Sequence, residues 1–163
     1  MGTHYAGTPD ELRALNAYIK LQRAADSTVA RTTRHLAGTG LTLSQYGVLD
    51  LLFYMGPLRL GQIAEKVLKS EGNMTTVVDN LERAGWVKRE RSEKDRRAVT
   101  VSLTEAGRQM IAEVIPVHIA AIVEAMSILS PGEQEVLGRL CRQVGKQERQ
   151  IPVEQLSAGE LKE

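Results

Sequence analysis

The chain is poor in several residue types, and each shortage removes a class of function. Its 163 residues include one cysteine, Cys141, so no disulfide framework exists and no cysteine-built zinc site can form. One Trp, four Tyr and one Phe are too few, and too dispersed, to make the stacking platform that single-stranded RNA needs. No uninterrupted apolar run approaches the ~18 residues of a membrane span. The opening Met1-Gly2-Thr3-His4-Tyr5 has neither the basic stretch nor the apolar core of a signal peptide. The expectation is a cytoplasmic protein with no membrane partner. Also missing are a G-x-S-x-G elbow, a Walker loop, a G-x-G-x-x-G turn and an H-x-x-x-H pair. Gly38-Thr39-Gly40 is too short to cradle a phosphate and follows a helix, not a strand. No catalytic residue, cofactor or metal site is therefore expected.

What remains is ordinary globular material, 42% hydrophobic and 25% charged, in a chain of about one domain's length. Net charge is only +1, which excludes a protein that coats a polyanion. The excess of basic residues is concentrated at 88–97, where Lys88, Arg89, Arg91, Lys94, Arg96 and Arg97 outnumber Glu90, Glu93 and Asp95. Such a cluster suits local contact with a polyanion; on charge alone, a solvated hairpin is an equal reading.

Helix signals dominate. Thr8-Pro9-Asp10-Glu11 is a capping box with proline at the first helical position, and no Gly or Pro follows until Gly38. A long helix to about Leu36 is expected. Ser44 is a candidate N-cap for a second helix, which Gly56-Pro57 ends. Leu60, Ile63, Ala64, Val67 and Leu68 recur at helical spacing, as do Met74, Val77, Val78 and Leu81 before a C′ glycine, Gly85. The period then shortens. Trp86-Val87 opens a strand, and Val99, Val101 and Leu103 alternate with Thr100 and Ser102 in another. Thr104 is the next N-cap candidate, on a helix that Pro116 should kink. Ser130-Pro131-Gly132-Glu133 is a second capping box, and beyond Arg149 the tail is polar.

Three helices followed by a hairpin with a basic tip form a winged helix-turn-helix. If Met74, Val77, Val78 and Leu81 face inward, Asn73, Thr75, Thr76, Asn80 and Arg83 face out as short amides and hydroxyls with one cation. Those groups suit base edges and phosphates, although a solvated polar face carries the same residues. Ser70 and Asn73 fall near the helix N-terminus, where free amides favour phosphate. Asp95 stands two residues before Arg97 and can aim its guanidinium toward a narrow minor groove; a plain surface ion pair is the competing reading.

The run from Trp86 to Gly107, with Asp95-Arg96-Arg97 followed by an alternating strand and Leu103-Thr104-Glu105-Ala106-Gly107, resembles the signature of MarR-family transcriptional regulators. Leu43-Ser44-Gln45-Tyr46 and Asn73 through Gly85 resemble the same family, and the likeness spans about residues 10–148. The resemblance implies a mainly α fold with a small β-hairpin wing. Residues 44–103 would form the DNA-binding lobe, 10–36 and 104–148 the dimerisation helices, and 149–163 a loose tail of one MarR-like domain. It also implies a homodimer on a pseudopalindromic double-stranded DNA operator, half-sites ~34 Å apart. Carried over by position, Arg97 is the wing arginine and Asp95 its orienting carboxylate. Ser70, Asn73, Thr75 and Thr76 fall where such regulators contact bases or phosphates, Asn80 joins them from the outward face of the helix, and Arg91, Lys94 and Arg96 meet phosphates. Repression is the commoner role among such regulators; an activator, or a winged helix used only for protein contacts, is the alternative.

Many such regulators release DNA when a small aromatic or phenolic effector binds between the dimer arms and the lobe. Tyr18, Tyr46 and His118 are the candidate contacts, although aromatics on helical stripes also serve as core. His35 ends the first helix and reads as structural or solvated. Cys141 lies on an apolar stripe four residues after Leu137 and reads as a small buried hydrophobe, not a thiol switch.

Overall fold

The structure, a computed structural model, describes residues 4–67, 71–91 and 99–146, without the side chains of 71–73 and 91. The chain divides into two compact units, residues 1–125 and 126–163.

In the first unit, α1 (Pro9–Thr32) starts at the expected box. Thr8 N–H donates to Glu11 Oε2 at 2.7 Å, and Glu11 N–H donates to Thr8 Oγ1 at 3.3 Å. The helix stops at Thr32, short of Leu36. The Thr32 and Thr33 hydroxyls donate back to the carbonyls of Thr28 and Val29, offering the backbone an alternative partner. The chain then tightens into a 3₁₀ turn, Arg34–Gly38, that drops Leu36 into the core.

The N-cap of α2 (Leu43–Met55) is Thr42, not Ser44. Thr42 N–H donates to Gln45 Oε1 at 2.8 Å and Gln45 N–H to Thr42 Oγ1 at 3.2 Å, a reciprocal pair that Ser44 would lack with Gly47 at its third position. Gly56 ends the helix at φ +74°, a value that L side chains resist. Next come β1 (Leu58–Arg59), α3 (Leu60–Lys66) and α4 (Glu71–Arg83), then the wing strands β2 (Val87–Arg91) and β3 (Val99–Leu103). The sheet is antiparallel in the order β1-β3-β2, with Leu58 opposite Val101 and Arg89 opposite Val101 on its other side. The two-residue β1 has no alternation to betray it and exists only through its pairing with β3.

The turn from α4 into β2 is a full Schellman motif. Gly85, at φ +76°, donates its N–H to the Glu82 carbonyl and Trp86 donates to that of Leu81. Val48, Leu49 and Leu52 of α2, Ile63 of α3, Met74, Val78 and Leu81 of α4, and Val87 and Val101 of the sheet meet in one core. At about 1.5–3 kcal/mol for each fully buried large aliphatic side chain, this cluster supplies most of the lobe's cohesion.

Thr104 caps α5 (Glu105–Met126), accepting from Gly107 N–H at 3.0 Å and donating its hydroxyl to the Gly85 carbonyl at 2.7 Å. Pro116 lies inside α5, which continues through it. This helix is strongly apolar although no uninterrupted apolar run spans it. By length and composition it could cross a membrane, with a window of mean hydropathy 1.5 of which 22% is buried. Ile111, Val114, Ile115 and His118 face the core, while Val117, Ile119, Ile122 and Val123 are exposed.

In the second unit, α6 (Pro131–Gly145) opens with Ser130 N–H and hydroxyl both donating to Glu133 Oε2, at 2.8 and 2.7 Å. It buries none of its residues within the chain, and Cys141 is exposed, contrary to the buried position its apolar stripe suggested. The stripe, Val136, Leu137, Leu140 and Val144, is present but uncovered.

Candidate nucleic-acid interface

Three stripes run along α4. Met74, Val78 and Leu81 are buried against the core. Thr76, Asn80 and Arg83 form an exposed stripe at i, i+4 and i+7, with Arg83 Nη1 donating to Asn80 Oδ1 at 3.0 Å. Between these lies a third stripe of Thr75, Asp79 and Glu82, turned toward β2.

That third stripe is engaged by one residue. Arg89 Nη1 donates to Glu82 Oε2 at 2.7 Å, Nη2 lies 2.6 Å from Asp79 Oδ1, and Nη2 reaches the Thr75 carbonyl at 3.5 Å. Its backbone N–H donates to the other Glu82 oxygen at 3.1 Å. Partial burial would lower the arginine's pKa, but its bonds to the two carboxylates outweigh that and raise it further. Lys88 Nζ pairs with Glu90 Oε1 at 2.6 Å. Among the described side chains of the basic cluster, Lys88 and Arg89 are therefore neutralised within the chain. Sequence reasoning missed the role of Arg89 because it treated charge segment by segment.

Of the remaining candidates, Thr75, Thr76 and Asn80 are exposed on α4. Asn73 lies in α4 and Arg91 at the end of β2, opposite Val99, described in backbone only. Ser70, Lys94, Asp95, Arg96 and Arg97 lie outside the described residues.

A second cluster sits where the 3₁₀ turn, α2 and α5 meet. The rings of Tyr46 and His118 are 4.3 Å apart, and those of His118 and His35 5.0 Å. Tyr46 donates its hydroxyl to Asp50 Oδ1 at 3.3 Å. Burial, joined by the Asp50 charge, pushes the Tyr46 phenol up; burial likewise raises the Asp50 carboxyl, against the hydrogen bond from Tyr46. His118 is held low by burial first and His35 second, opposed by Asp50 and by a hydrogen bond to the Thr32 backbone. Both ring nitrogens of His35 and Nδ1 of His118 are shielded from solvent with no hydrogen-bond partner among the described residues. His35 also lines a cleft of about 390 Å³ with Thr39, Met110, Glu113, Val114 and Val117. Tyr46 and His118 are thus brought together, and His35 joins them unforeseen. Tyr18 is 58% exposed, and its hydroxyl accepts from Gln22 on the same helix. Among the described residues, no three His, Cys, Asp or Glu converge as a metal site.

Residues 41–99 match the model of the MarR family. The chain is 38% identical over 133 residues to the HTH-type transcriptional regulator YkoM of Bacillus subtilis, covering 82% of this chain and 86% of that one. The chain belongs to the MarR family. It is also 34% identical to the HTH-type transcriptional regulator MhqR of the same organism, over 85% of this chain and 96% of that protein. Among solved structures it resembles Sco3205, a MarR-family transcriptional regulator from Streptomyces coelicolor crystallised in complex with DNA. The TM-score is 0.77 at 25% identity, covering 89% of this chain and 92% of that one. The MarR winged helix-turn-helix accounts for the arrangement described above: α3 and α4 make the helix-turn-helix, and β2 and β3 the wing. The protein is a MarR-family transcriptional regulator, and the residues that match the family model, 41–99, run from just before α2 to the start of β3.

Proposed function

We propose that the protein is a ligand-responsive repressor that binds a pseudopalindromic double-stranded operator as a homodimer. The outer stripe of α4 carries this reading: Thr76, Asn80 and Arg83 are exposed while Met74, Val78 and Leu81 anchor the same helix in the core. Short hydroxyl and amide side chains with one arginine can read base edges and hold phosphates. On the same reading Ser70, Asn73 and Thr75 would also contact bases or phosphates. The wing residues Arg91, Lys94 and Arg96 would meet phosphates, and Arg97 with Asp95 the minor groove, as the family pattern of the sequence implies.

Exposed apolar surface supports the dimer. Tyr18, Leu21 and Val29 on α1, Val117, Ile119, Ile122 and Val123 on α5, and the α6 stripe are all solvent-facing in one chain. A second copy related by a two-fold axis would cover them, with 10–36 and 104–148 as interlocking arms around the 44–103 lobe. The high hydropathy of α5 then reflects a buried interface helix, not a membrane span. The cleft lined by His35, Thr39, Met110, Glu113, Val114 and Val117 is of a size for a small aromatic or phenolic effector, and the Tyr46–His118 pair lies behind His35, whose shielded ring nitrogens lack partners among the described residues. Tyr18 would reach an effector only from an arm of the dimer.

The test is a titration against a duplex from upstream of the protein's own gene and a scrambled control, at several salt concentrations, with and without salicylate. Tight, salt-dependent preference for the first duplex, lost with salicylate, is expected. Absence of even weak binding to either duplex at low salt would turn the reading toward a protein-contact module.

A further inference from the structure

Arg89 stands within a basic cluster yet faces inward to the recognition helix. Its guanidinium spans two turns of α4, from the Thr75 carbonyl through Asp79 to Glu82, and is only 24% exposed. Glu82 in turn receives both the Arg89 side chain and the Arg89 backbone N–H, on the edge of β2 that β3 does not use. The Met74, Val78 and Leu81 stripe holds the helix through aliphatic, non-directional contacts, whereas the Arg89 bonds are directional and act on the neighbouring stripe.

We propose that Arg89 is a positioning residue for sequence-specific DNA readout: by clamping the Thr75–Asp79–Glu82 stripe to β2, it fixes the angle at which Thr76, Asn80 and Arg83 are presented. The adjacent stripes differ by one residue, about 100° around the helix. A 20° rotation at a radius of about 5–6 Å moves a side-chain tip by about 2 Å, more than a hydrogen bond tolerates. Phosphate contacts survive such a shift far better than base contacts, since they depend on charge at longer range. Loss of the clamp therefore separates specific from non-specific binding. This inference rests on the DNA-binding function proposed above and adds the residue that makes that binding selective.

Two substitutions distinguish the clamp from a phosphate contact. Arg89→Lys keeps the charge but loses the planar fork that reaches both carboxylates. Asp79→Asn removes a negative charge beside the DNA-facing stripe, which by electrostatics alone should tighten binding. The probe is a duplex enriched by the wild-type homodimer from a random pool, measured against an unselected duplex across a salt series. Thermal unfolding and circular dichroism first establish that each variant is folded at the assay temperature.

Each variant is expected to lose about tenfold or more in affinity for the enriched duplex. Affinity for the unselected duplex should be unchanged in Arg89→Lys and equal or tighter in Asp79→Asn, with the salt slope retained. Wild-type affinity of Arg89→Lys for the enriched duplex would overturn the clamp. So would proportional loss on both duplexes, or tighter binding of Asp79→Asn to the enriched duplex. Failure of the wild type to enrich any sequence would instead overturn the proposed function, and the clamp with it.

Discussion

Replacing Gly107 with alanine pits helix propensity against a backbone contact, and the structure decides the sign. Gly107 is in the first turn of α5, where alanine is normally better by about 1 kcal/mol. A Cβ there would overlap the Trp86 carbonyl oxygen, and would lie 2.7 Å from its carbonyl carbon and 3.0 Å from its Cα. Neither side can give easily. The Trp86 carbonyl accepts from Thr104 N–H at 3.0 Å, and the Trp86 N–H is held by Leu81 in the Schellman turn. Relief requires α5 to move off the start of the wing. That breaks the Thr104–Trp86 bond and strains the Thr104 hydroxyl bonds to Gly85 and Gly107. One hydrogen bond broken and two strained cost together about 2 kcal/mol, at a net ~1 kcal/mol for a full bond, and with overpacking of about 1–3 kcal/mol they outweigh the propensity gain. The expected net loss is about 2–4 kcal/mol, read by urea unfolding at a fixed protomer concentration. Gly47→Ala is the control: it is interior to α2, and its Cβ would lie at an ordinary 3.8 Å from Val67. That variant should gain about 0.5–1 kcal/mol. A Gly107→Ala protein as stable as wild type would refute the reasoning.

Three further outcomes are expected. Burial holds the folded-state pKa of His118 below its ordinary 6.5, so the unfolded chain binds more protons below that pH and stability falls on acidification through this window. Asp50, raised by burial, works in the opposite sense nearer the carboxylate range. His118→Phe should therefore flatten the urea-stability profile between about pH 7 and 5, and an unchanged slope would contradict the assignment. Leu137→Glu, on the uncovered stripe of α6, should shift the protein toward monomer in light scattering; a dimer of unchanged mass would exclude that stripe from the interface. In the wing, Arg97→Ala should weaken operator binding at minor-groove flanks, while Lys94→Ala should mainly reduce the salt slope by about one unit. No change in slope or affinity for either would remove the wing from the interface.

What the sequence made legible was chemistry that acts over three or four residues or repeats with a fixed period. Thr8–Glu11 and Ser130–Glu133 are boxes closed within one turn, and the alternation of Val99, Val101 and Leu103 is a strand wherever it is met. Thr42 was legible too, since Gln45 stands at its third position; Ser44, with Gly47 there, could not reciprocate. The 3₁₀ turn was harder, because it depends on Thr32 and Thr33 diverting hydroxyls to their own helix instead of on a Gly or Pro. Contacts across longer separations left no trace. Leu58 finds Val101, and His35 finds His118, only after α2 to α5 have packed. The same limit explains the reading of charge. A count over 88–97 sees six cations, but among the described residues Lys88 answers Glu90, and Arg89 answers Asp79 and Glu82 on the preceding helix. Asp79 and Glu82, one turn apart and followed by a Gly85 turn into a strand, were the available signal that an arginine would fold back on them. On the proposed reading, Arg89 then contributes the angle of the reading helix and not charge toward the DNA. A basic count can predict that such a protein meets DNA; only the pairing predicts which arginine sets how it reads.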